Sequence, residues 1–351
     1  MTHEEAIRVI DQMAECGIYH LLISGGEPFV RKDFWSLVDY ALEKGIRVDQ
    51  VYTNGWMVNN TLLDKFEERG MKPEFSISFD GLDWHDWMRG VRGAEQAALN
   101  ALKYCYLRGF PTNVEMCVHR GNADPEIIRE TIDVLADCGT GRIKFSEVSG
   151  TELWIKNADG NAMSTREYIE AVLRYLPYYF KDGMPMNLLF GGVVTLYKGS
   201  TDYAPVAEFG DGSEGCLNHF ICGAVRSSCY LAPDGRMLPC MPIAAVPDQS
   251  MFPKVQEIGL QAAMKESLFM EFAQRKVKDL LAVCKTCREC PYHLKCGGGC
   301  RAAAVMEGEN NLMGPDPFRC LMWKEGYLEK VHAVCDEAIR KYCGGEILTA
   351  V

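Results

Sequence analysis

Several features that would place this chain in familiar classes are missing from its sequence. No charged segment followed by an apolar stretch opens the chain, and no apolar run approaches membrane-spanning length. No basic stripe occurs, and the formal net charge of −11 disfavours binding to a phosphate backbone. No low-complexity tract or fixed-period repeat is present. We therefore expect a cytoplasmic protein with no membrane or nucleic-acid partner.

The length and the apolar content indicate two globular domains. The chain has 351 residues, of which 48% are apolar, so it can bury a substantial core. This length exceeds one ordinary compact module but suits a barrel-type domain followed by a smaller one. We predict a first domain over residues 1–200 and a second over residues 201–351.

Short apolar or β-branched runs alternate with amphipathic stretches of helix length through the first half of the chain. A helix is predicted to open the chain, because Thr2 and Glu5 form a capping box and Gly17 supplies a stop. Repeated strand–helix units predict parallel strands, whose carboxyl ends carry ligands in sheets and barrels alike. The predicted strands are residues 20–24, 48–53, 74–79, 113–118 and 142–146.

An array of cysteines in the C-terminal part is the most informative feature of the sequence. Thiolates brought this close in a folded chain oxidise or repel one another unless a metal or an iron–sulfur core holds them. In a reducing compartment, such cysteines bind metal or do redox work more often than they form disulfides. The array comprises Cys222, Cys240, Cys287, Cys290, Cys296, Cys300 and Cys320.

Two kinds of metal centre fit these spacings. Structural zinc is one, because Cys287 and Cys290 have the spacing of a zinc knuckle. Iron–sulfur clusters are the other, because the cysteines outnumber two knuckles, and Cys284, Cys287, Cys290 and Pro291 partly match bacterial ferredoxins. We favour iron–sulfur clusters and keep zinc as the alternative.

A glycine-rich segment, Gly25, Gly26, Glu27 and Pro28, follows the first predicted strand. Two glycines let the backbone turn sharply and expose its polar groups, and the carboxylate can accept a hydrogen bond from a ligand's ammonium. An ordinary strand-to-helix turn is the alternative. The position at the carboxyl end of a strand favours contact with a ligand.

A domain of βα repeats with this segment, followed by the cysteine array, resembles a radical S-adenosylmethionine (SAM) enzyme with a SPASM domain, of the peptide-maturase type. The resemblance covers nearly the whole chain. It implies an α/β fold in which a partial parallel (β/α) barrel precedes a small cysteine-rich SPASM domain. The residues that it implies as SAM contacts are Gly25, Gly26, Glu27, Pro28, Asn54 and Ser78.

The SPASM resemblance also implies two auxiliary 4Fe-4S clusters. Cys229 is nominated as an additional ligand of the first, and Cys284 is the competing choice for either cluster. The ligands implied for the first cluster are Cys222, Cys229, Cys240 and Cys300. The ligands implied for the second are Cys287, Cys290, Cys296 and Cys320.

The segment after the third predicted strand is rich in large and charged side chains. Trp84, His85 and Trp87 could line a substrate cavity, and Arg89 or Arg92 could meet the cofactor carboxylate. Packing within a loop is the equal alternative.

One element of the family pattern does not occur in residues 1–351. Family members hold the cluster that cleaves SAM with three cysteines spaced C-x3-C-x2-C after the first barrel strand, and no such triplet is present. The chain begins inside what resembles the helix after that loop. We therefore expect the first strand and the cluster loop to precede Met1 in a longer protein. We expect a third cluster, and enzyme activity that depends on it, only in a protein that includes the segment with the C-x3-C-x2-C triplet.

The function implied by the resemblance is modification of a ribosomally made peptide or protein by a 5′-deoxyadenosyl radical, with an electron donor such as a flavodoxin or ferredoxin. Sulfatase maturation ranks below peptide cross-linking, because Met241 stands where sulfatase-maturing enzymes place a proton-accepting aspartate. Two alternatives stay open. One is a non-catalytic iron–sulfur electron carrier or binding protein on the same scaffold, and the other is a zinc-stabilised α/β binding module.

Overall fold

The computed structural model of the chain describes residues 1–148, 152–246, 248–306 and 311–344. No helix in these ranges combines the length and the hydropathy needed to cross a membrane. The strands are β1 His20–Ile23, β2 Arg47–Thr53, β3 Glu74–Ser78, β4 Thr112–Val118, β5 Arg142–Glu147, β6 Asn187–Phe190, β7 Val194–Leu196, β8 Tyr203–Pro205, β9 Tyr230–Leu231 and β10 Met237–Leu238.

The helices differ in length between the two halves of the chain, and most of those after residue 220 are short. Three 3₁₀ turns complete the secondary structure, at Pro28–Val30, Glu214–Asn218 and Met241–Ala245. The α-helices are α1 His3–Glu15, α2 Phe34–Glu43, α3 Asn60–Glu68, α4 His85–Arg89, α5 Ala94–Leu107, α6 Pro125–Asp137, α7 Glu152–Asn157, α8 Thr165–Lys181, α9 Ala224–Ser227, α10 Val255–Ile258, α11 Leu260–Lys265, α12 Leu268–Gln274, α13 Val277–Val283, α14 Lys285–Arg288, α15 His293–Cys296, α16 Arg301–Met306, α17 Pro317–Lys324 and α18 Tyr327–Tyr342.

One sheet contains β1 to β8 in the order of the chain. The pairs from β2 to β6 are parallel, whereas β7 and β8 join the far edge in antiparallel pairs. Parallel neighbours joined through helices are the arrangement that repeated βα units produce. The predicted α/β class is confirmed, and the five predicted strands coincide with β1 to β5 to within one residue at either end.

The opening helix α1 begins as the sequence predicts. The Thr2 hydroxyl oxygen accepts from the Glu5 N–H at 3.2 Å, and the Glu5 carboxylate accepts from the Thr2 N–H at 2.7 Å. Each group satisfies a donor that the first helical turn leaves unpaired. The chain leaves the helix through Gly17, whose φ of +74° lies in the left-handed region that glycine tolerates.

The chain divides into two compact units, and each contains segments that are distant in sequence. The first unit comprises Met1–His20, Lys32–Arg47 and Ala207–Glu325, and the second comprises Leu21–Arg31, Val48–Val206 and Gly326–Val351. The domain boundary at residue 200 stays a prediction, because compactness alone does not define a domain.

The second unit packs around aromatic side chains on the sheet and its helices. Phe66 and Phe75 meet edge to face with centroids 5.6 Å apart, a geometry that aromatic rings favour. The C-terminal helix α18 joins this core, because its Tyr327 hydroxyl donates to Glu170 of α8 at 3.2 Å. Its Asp336 accepts from the Tyr203 hydroxyl at 2.8 Å.

The first unit joins the N-terminal helix to the cysteine-rich region. Val9 of α1 is buried in one apolar cluster with residues of α10 to α13. The Gln12 side chain accepts from the Leu260 N–H at 2.6 Å, and the N-terminal ammonium donates to the Pro233 carbonyl at 2.8 Å. These contacts give the short helices of this unit a common core despite their small individual size.

Candidate functional site

The residues expected to contact SAM lie in the second unit, beside the ends of three neighbouring strands. Gly25 and Gly26 follow β1, Asn54 follows β2, and Ser78 is the last residue of β3. The carboxyl-terminal edge of a parallel sheet is where α/β folds bind ligands. The fold therefore brings together the three loops from which the sequence predicts a cofactor site.

The two glycines of the first loop face open space. Gly25 has a φ of +142°, which disfavours residues with a side chain, and a Cβ added at Gly25 or Gly26 would meet no atom within 4 Å. Both residues are exposed. The backbone polar groups of this loop are thus free of side-chain cover on the side where a ligand would approach.

The Glu27 carboxylate is engaged by the protein itself. The Thr53 hydroxyl lies 2.9 Å from each Glu27 oxygen, the Asn54 N–H donates at 2.9 Å, and the Phe29 N–H donates at 3.4 Å. These contacts use most of the acceptor sites that a carboxylate offers. In the structure, Glu27 therefore ties the loop after β1 to the loop after β2, and its direct contact with SAM stays a prediction.

A buried carboxylate holds the segment that follows β3. Asp80 is fully buried, and one of its oxygens, Oδ2, lies 3.0 Å from His85 Nδ1 and 2.8 Å from Arg89 Nε. The other carboxylate oxygen accepts from the Cys117 N–H at 2.9 Å, which links this segment to β4. Arg89 is therefore paired within the protein, as the alternative of packing in a loop has it, and contact of Arg89 or Arg92 with the cofactor carboxylate stays a prediction.

His119, directly after β4, is a site residue that the sequence did not single out. Its Nδ1 accepts from the Gly121 N–H at 3.1 Å, so the neutral ring carries its proton on Nε2, where no partner lies among the described residues. Burial lowers its pKa to about 4. The rings of Trp84, Trp87 and Trp154 surround it at centroid distances of 5.1, 5.0 and 6.1 Å.

In the first unit, four cysteines line a single cavity. Cys287 lies in α14, Cys290 follows it, Cys296 ends α15, and Cys320 lies in α17. The cavity has a volume of about 360 Å³, counting space open to solvent, and His293, Asp316 and Lys324 also line it. Cysteine thiolates are the ligands of iron–sulfur clusters, so the chemistry of this lining fits such a group.

A second set of cysteines of the same unit lies within electrostatic reach of one another. Burial, with a smaller contribution from the thiols of Cys300 and Cys222, raises the pKa of Cys240 to about 11. Cys229 is exposed and precedes β9, whereas Cys284 is buried in the apolar core and accepts from the Cys287 N–H at 3.4 Å. Among the described residues, no three His, Cys, Asp or Glu side chains converge as a site for a single metal ion.

Sequence comparisons relate the chain to proteins of known family. Residues 1–135 match the Radical SAM superfamily. This part of the chain is therefore similar to that superfamily. A PqqA peptide cyclase of Granulibacter bethesdensis is 24% identical over 339 residues, which are 96% of this chain and 81% of that protein. An Fe-coproporphyrin III synthase of Methanosarcina barkeri is 30% identical over 192 residues, 54% of this chain and 47% of that protein, so this chain spans about half of its length.

Solved radical SAM structures share the fold. The structure of anSMEcpe with bound AdoMet and Cp18Cys peptide has a TM-score of 0.66 at 14% identity, over 97% of this chain and 91% of that one. The structure of Streptococcus suis SuiB bound to S-adenosylmethionine has a TM-score of 0.62 at 17% identity, and the match covers 90% of this chain and 69% of that one. The radical SAM type of fold predicted from the sequence is confirmed.

Radical SAM chemistry uses a 4Fe-4S cluster together with SAM. The loops after β1, β2 and β3 belong to the second unit, and the cysteine-lined cavity belongs to the first. The loops are the predicted SAM site, and the cavity is the predicted site of an auxiliary cluster rather than of the SAM-cleaving one, whose cysteine triplet does not occur in residues 1–351.

We expect the contact between Glu27 and Thr53 to couple the stabilities of two loops. Glu27→Gln and Thr53→Val should each lower the free energy of unfolding measured in urea. The double variant should lose about 1–2 kcal/mol less than the sum of the two single losses, because each change removes the same hydrogen bond to a charged group. The pair Glu27→Gln and Ser78→Ala serves as the control and should be additive. Additivity of the first pair to within about 0.5 kcal/mol would contradict the coupling.

We expect His119 to make stability depend on pH. In the folded protein the pKa of His119 is about 4, below the ordinary value of 6.5. The neutral ring therefore stabilises the folded protein fully above pH 6.5, and this stabilisation is lost as the pH falls towards 4. Between about pH 7.5 and 4.5, the free energy of unfolding of the wild type should therefore fall by about 2–3 kcal/mol more than that of His119→Gln. Both proteins are prepared with the same iron–sulfur cluster content. Urea unfolding at the two pH values measures this. Equal losses would show that His119 is protonated freely in the folded state.

Proposed function

We propose that this chain provides the SAM-binding and auxiliary-cluster regions of a radical SAM enzyme that modifies a ribosomally made peptide or protein. The cavity lined by Cys287, Cys290, Cys296 and Cys320 is the observation that carries the proposal. Four thiols from three helical segments around one cavity suit an inorganic iron–sulfur core far better than they suit an apolar interior, where thiolates would be destabilised.

The proposal assigns each cofactor to one set of residues. SAM would be held by the exposed backbone of Gly25 and Gly26 together with Asn54 and Ser78, with Glu27 and Pro28 shaping the first loop. Two auxiliary 4Fe-4S clusters would be held in the first unit. Their ligands would be Cys222, Cys229, Cys240 and Cys300 for the first cluster, and Cys287, Cys290, Cys296 and Cys320 for the second.

When a 4Fe-4S cluster and SAM are bound, the chemistry that they supply in this superfamily is a 5′-deoxyadenosyl radical that abstracts hydrogen from an unactivated carbon. The residues of this chain contribute position and exclusion of water. Glu27 joins the loops after β1 and β2, Asp80 holds the segment after β3, and the tryptophan rings around the neutral His119 keep water from the end of β4.

A peptide substrate is proposed from the relatives. One is a PqqA peptide cyclase, and two of the similar structures contain peptides, Cp18Cys in anSMEcpe and the precursor peptide SuiA in SuiB. A small electron-transfer protein such as a flavodoxin or ferredoxin would supply electrons to the clusters. The Fe-coproporphyrin III synthase points to a second class of substrate, so a porphyrin is included in the test.

The experiment uses the full reading frame that contains residues 1–351, purified without oxygen. SAM, a strong reductant and the peptides encoded beside the gene are added, and 5′-deoxyadenosine and the mass of each peptide are measured. We expect 5′-deoxyadenosine to rise with one peptide, whose mass falls by hydrogen loss. Turnover with Fe-coproporphyrin III alone would contradict the peptide proposal, and no 5′-deoxyadenosine at all from iron-replete protein would contradict the enzyme proposal.

We expect the iron content of the chain to report on the proposed ligands one cluster at a time. Wild type prepared anaerobically should carry about eight irons, four for each 4Fe-4S cluster, with equal sulfide. The Cys290→Ser variant should retain about four irons per chain, because only the second cluster loses a ligand. Cys335→Ser, which changes a buried cysteine of α18, is the matched control and should keep the iron content of the wild type. Stoichiometric zinc instead of iron would contradict the assignment.

A further inference from the structure

Arg301 is a cation buried inside the cysteine-rich unit. Only 2% of its surface is exposed, and among the described residues no other arginine or lysine is classed as buried. It directly follows Cys300 and begins α16. A charge in such a place is strongly disfavoured unless hydrogen bonds and an opposite charge compensate the lost solvation.

The hydrogen bonds of the guanidinium all end on neutral carbonyls. Nη1 donates to Gly314 at 2.7 Å and to Leu312 at 3.2 Å, Nε donates to Gly299 at 3.3 Å, and Nη2 donates to Gly298 and Gly299. Within the described ranges, no carboxylate forms an ion pair with Arg301. The donors are therefore satisfied, while none of the carboxylates that the structure describes pairs with the charge.

The neighbouring acidic side chain, Asp316, is occupied elsewhere. One of its oxygens accepts from the Cys300 N–H at 2.7 Å, and the other accepts from the Arg319 N–H at 3.1 Å, where it caps α17. Asp316 thus connects the segment that carries Cys300 with the helix that carries Cys320. Its carboxylate still stabilises the Arg301 cation electrostatically, without an ion pair between the two side chains.

Arg301 also organises the turn between two proposed cluster ligands. Gly297, Gly298 and Gly299 separate Cys296 from Cys300, and all three have positive φ, +63°, +85° and +76°. A Cβ at Gly298 would lie 2.1 Å from Leu280, and one at Gly299 would lie 2.3 Å from Asp316. The turn is therefore restricted to glycine, and its carbonyls face the guanidinium.

We infer that Arg301 is the internal countercharge of the auxiliary clusters, which stabilises their reduced forms as well as the turn that carries Cys296 and Cys300. The inference rests on the proposed function, since it requires bound clusters. A cluster with thiolate ligands is negatively charged, and reduction adds a further electron. A fixed cation in a medium of low dielectric therefore favours the reduced cluster, and charge and hydrogen bonding are known determinants of cluster potentials.

Two variants separate the charge of Arg301 from its shape. Arg301→Lys keeps the cation but loses the planar set of five donors, whereas Arg301→Met keeps a comparable volume without charge. We expect Arg301→Met to lower the equilibrium constant for one-electron reduction of at least one auxiliary cluster by about tenfold or more, which is 59 mV. Arg301→Lys should keep a midpoint potential close to wild type even where it weakens the turn.

The measurement is an anaerobic redox titration of the cluster-loaded chain followed by electron paramagnetic resonance, with iron counted before and after. Lys265→Met, which removes an exposed cation of the same unit, is the control and should leave the midpoint unchanged, because exposed charges are screened. Iron lost from Arg301→Met but retained by Arg301→Lys would also support the countercharge, because the variants differ mainly in charge.

Three results would overturn the inference, and they can be told apart. A wild-type chain that binds no iron removes the proposed function and this inference together. Loaded Arg301→Met with an unchanged midpoint removes the countercharge alone. Equal loss of iron, or an equal midpoint shift, in both Arg301 variants assigns the residue to loop structure only.

Discussion

The gathering of thiols around one cavity is the constraint on which the cysteine-rich unit depends. Cys287, Cys290, Cys296 and Cys320 line this cavity although they come from three short helices and the segment between two of them. Burial raises the pKa of Cys296 to about 11, so a thiolate at this position needs a metal centre to stabilise it. A bound cluster takes thiolates, releases protons, and links cluster assembly to the folding of the segments that carry the ligands.

A different kind of constraint organises the sheet-bearing unit. Its loops at the carboxyl ends of the strands are held by side chains that point inward to other loops. Glu27 joins the ends of β1 and β2, and Asp80 joins the ends of β3 and β4. Carboxylates that accept several hydrogen bonds fix loop geometry without adding bulk, which leaves the backbone of Gly25 and Gly26 open. A rigid edge with exposed polar backbone is suited to holding a polar cofactor.

Local patterns predict the first five strands and the capping of α1, because alternation and capping depend on residues close in sequence. The same patterns do not predict the antiparallel β7 and β8 or the attachment of α18 to the sheet-bearing unit, since these depend on distant partners. The SPASM resemblance groups the four cysteines that line the cavity. It cannot predict that Arg301 is buried without an ion pair, that Glu27 is already hydrogen-bonded, or that His119 lies among tryptophans, because only tertiary packing decides burial and pairing.

Crystals grown without oxygen and measured at the iron absorption edge test the central claim most directly. The account predicts an anomalous peak inside the cavity bounded by Cys287, Cys290, Cys296 and Cys320, and a second peak beside Cys222, Cys240 and Cys300. Density for zinc, disulfide bonds between these residues, or side chains that point away from an iron-free cavity would contradict it.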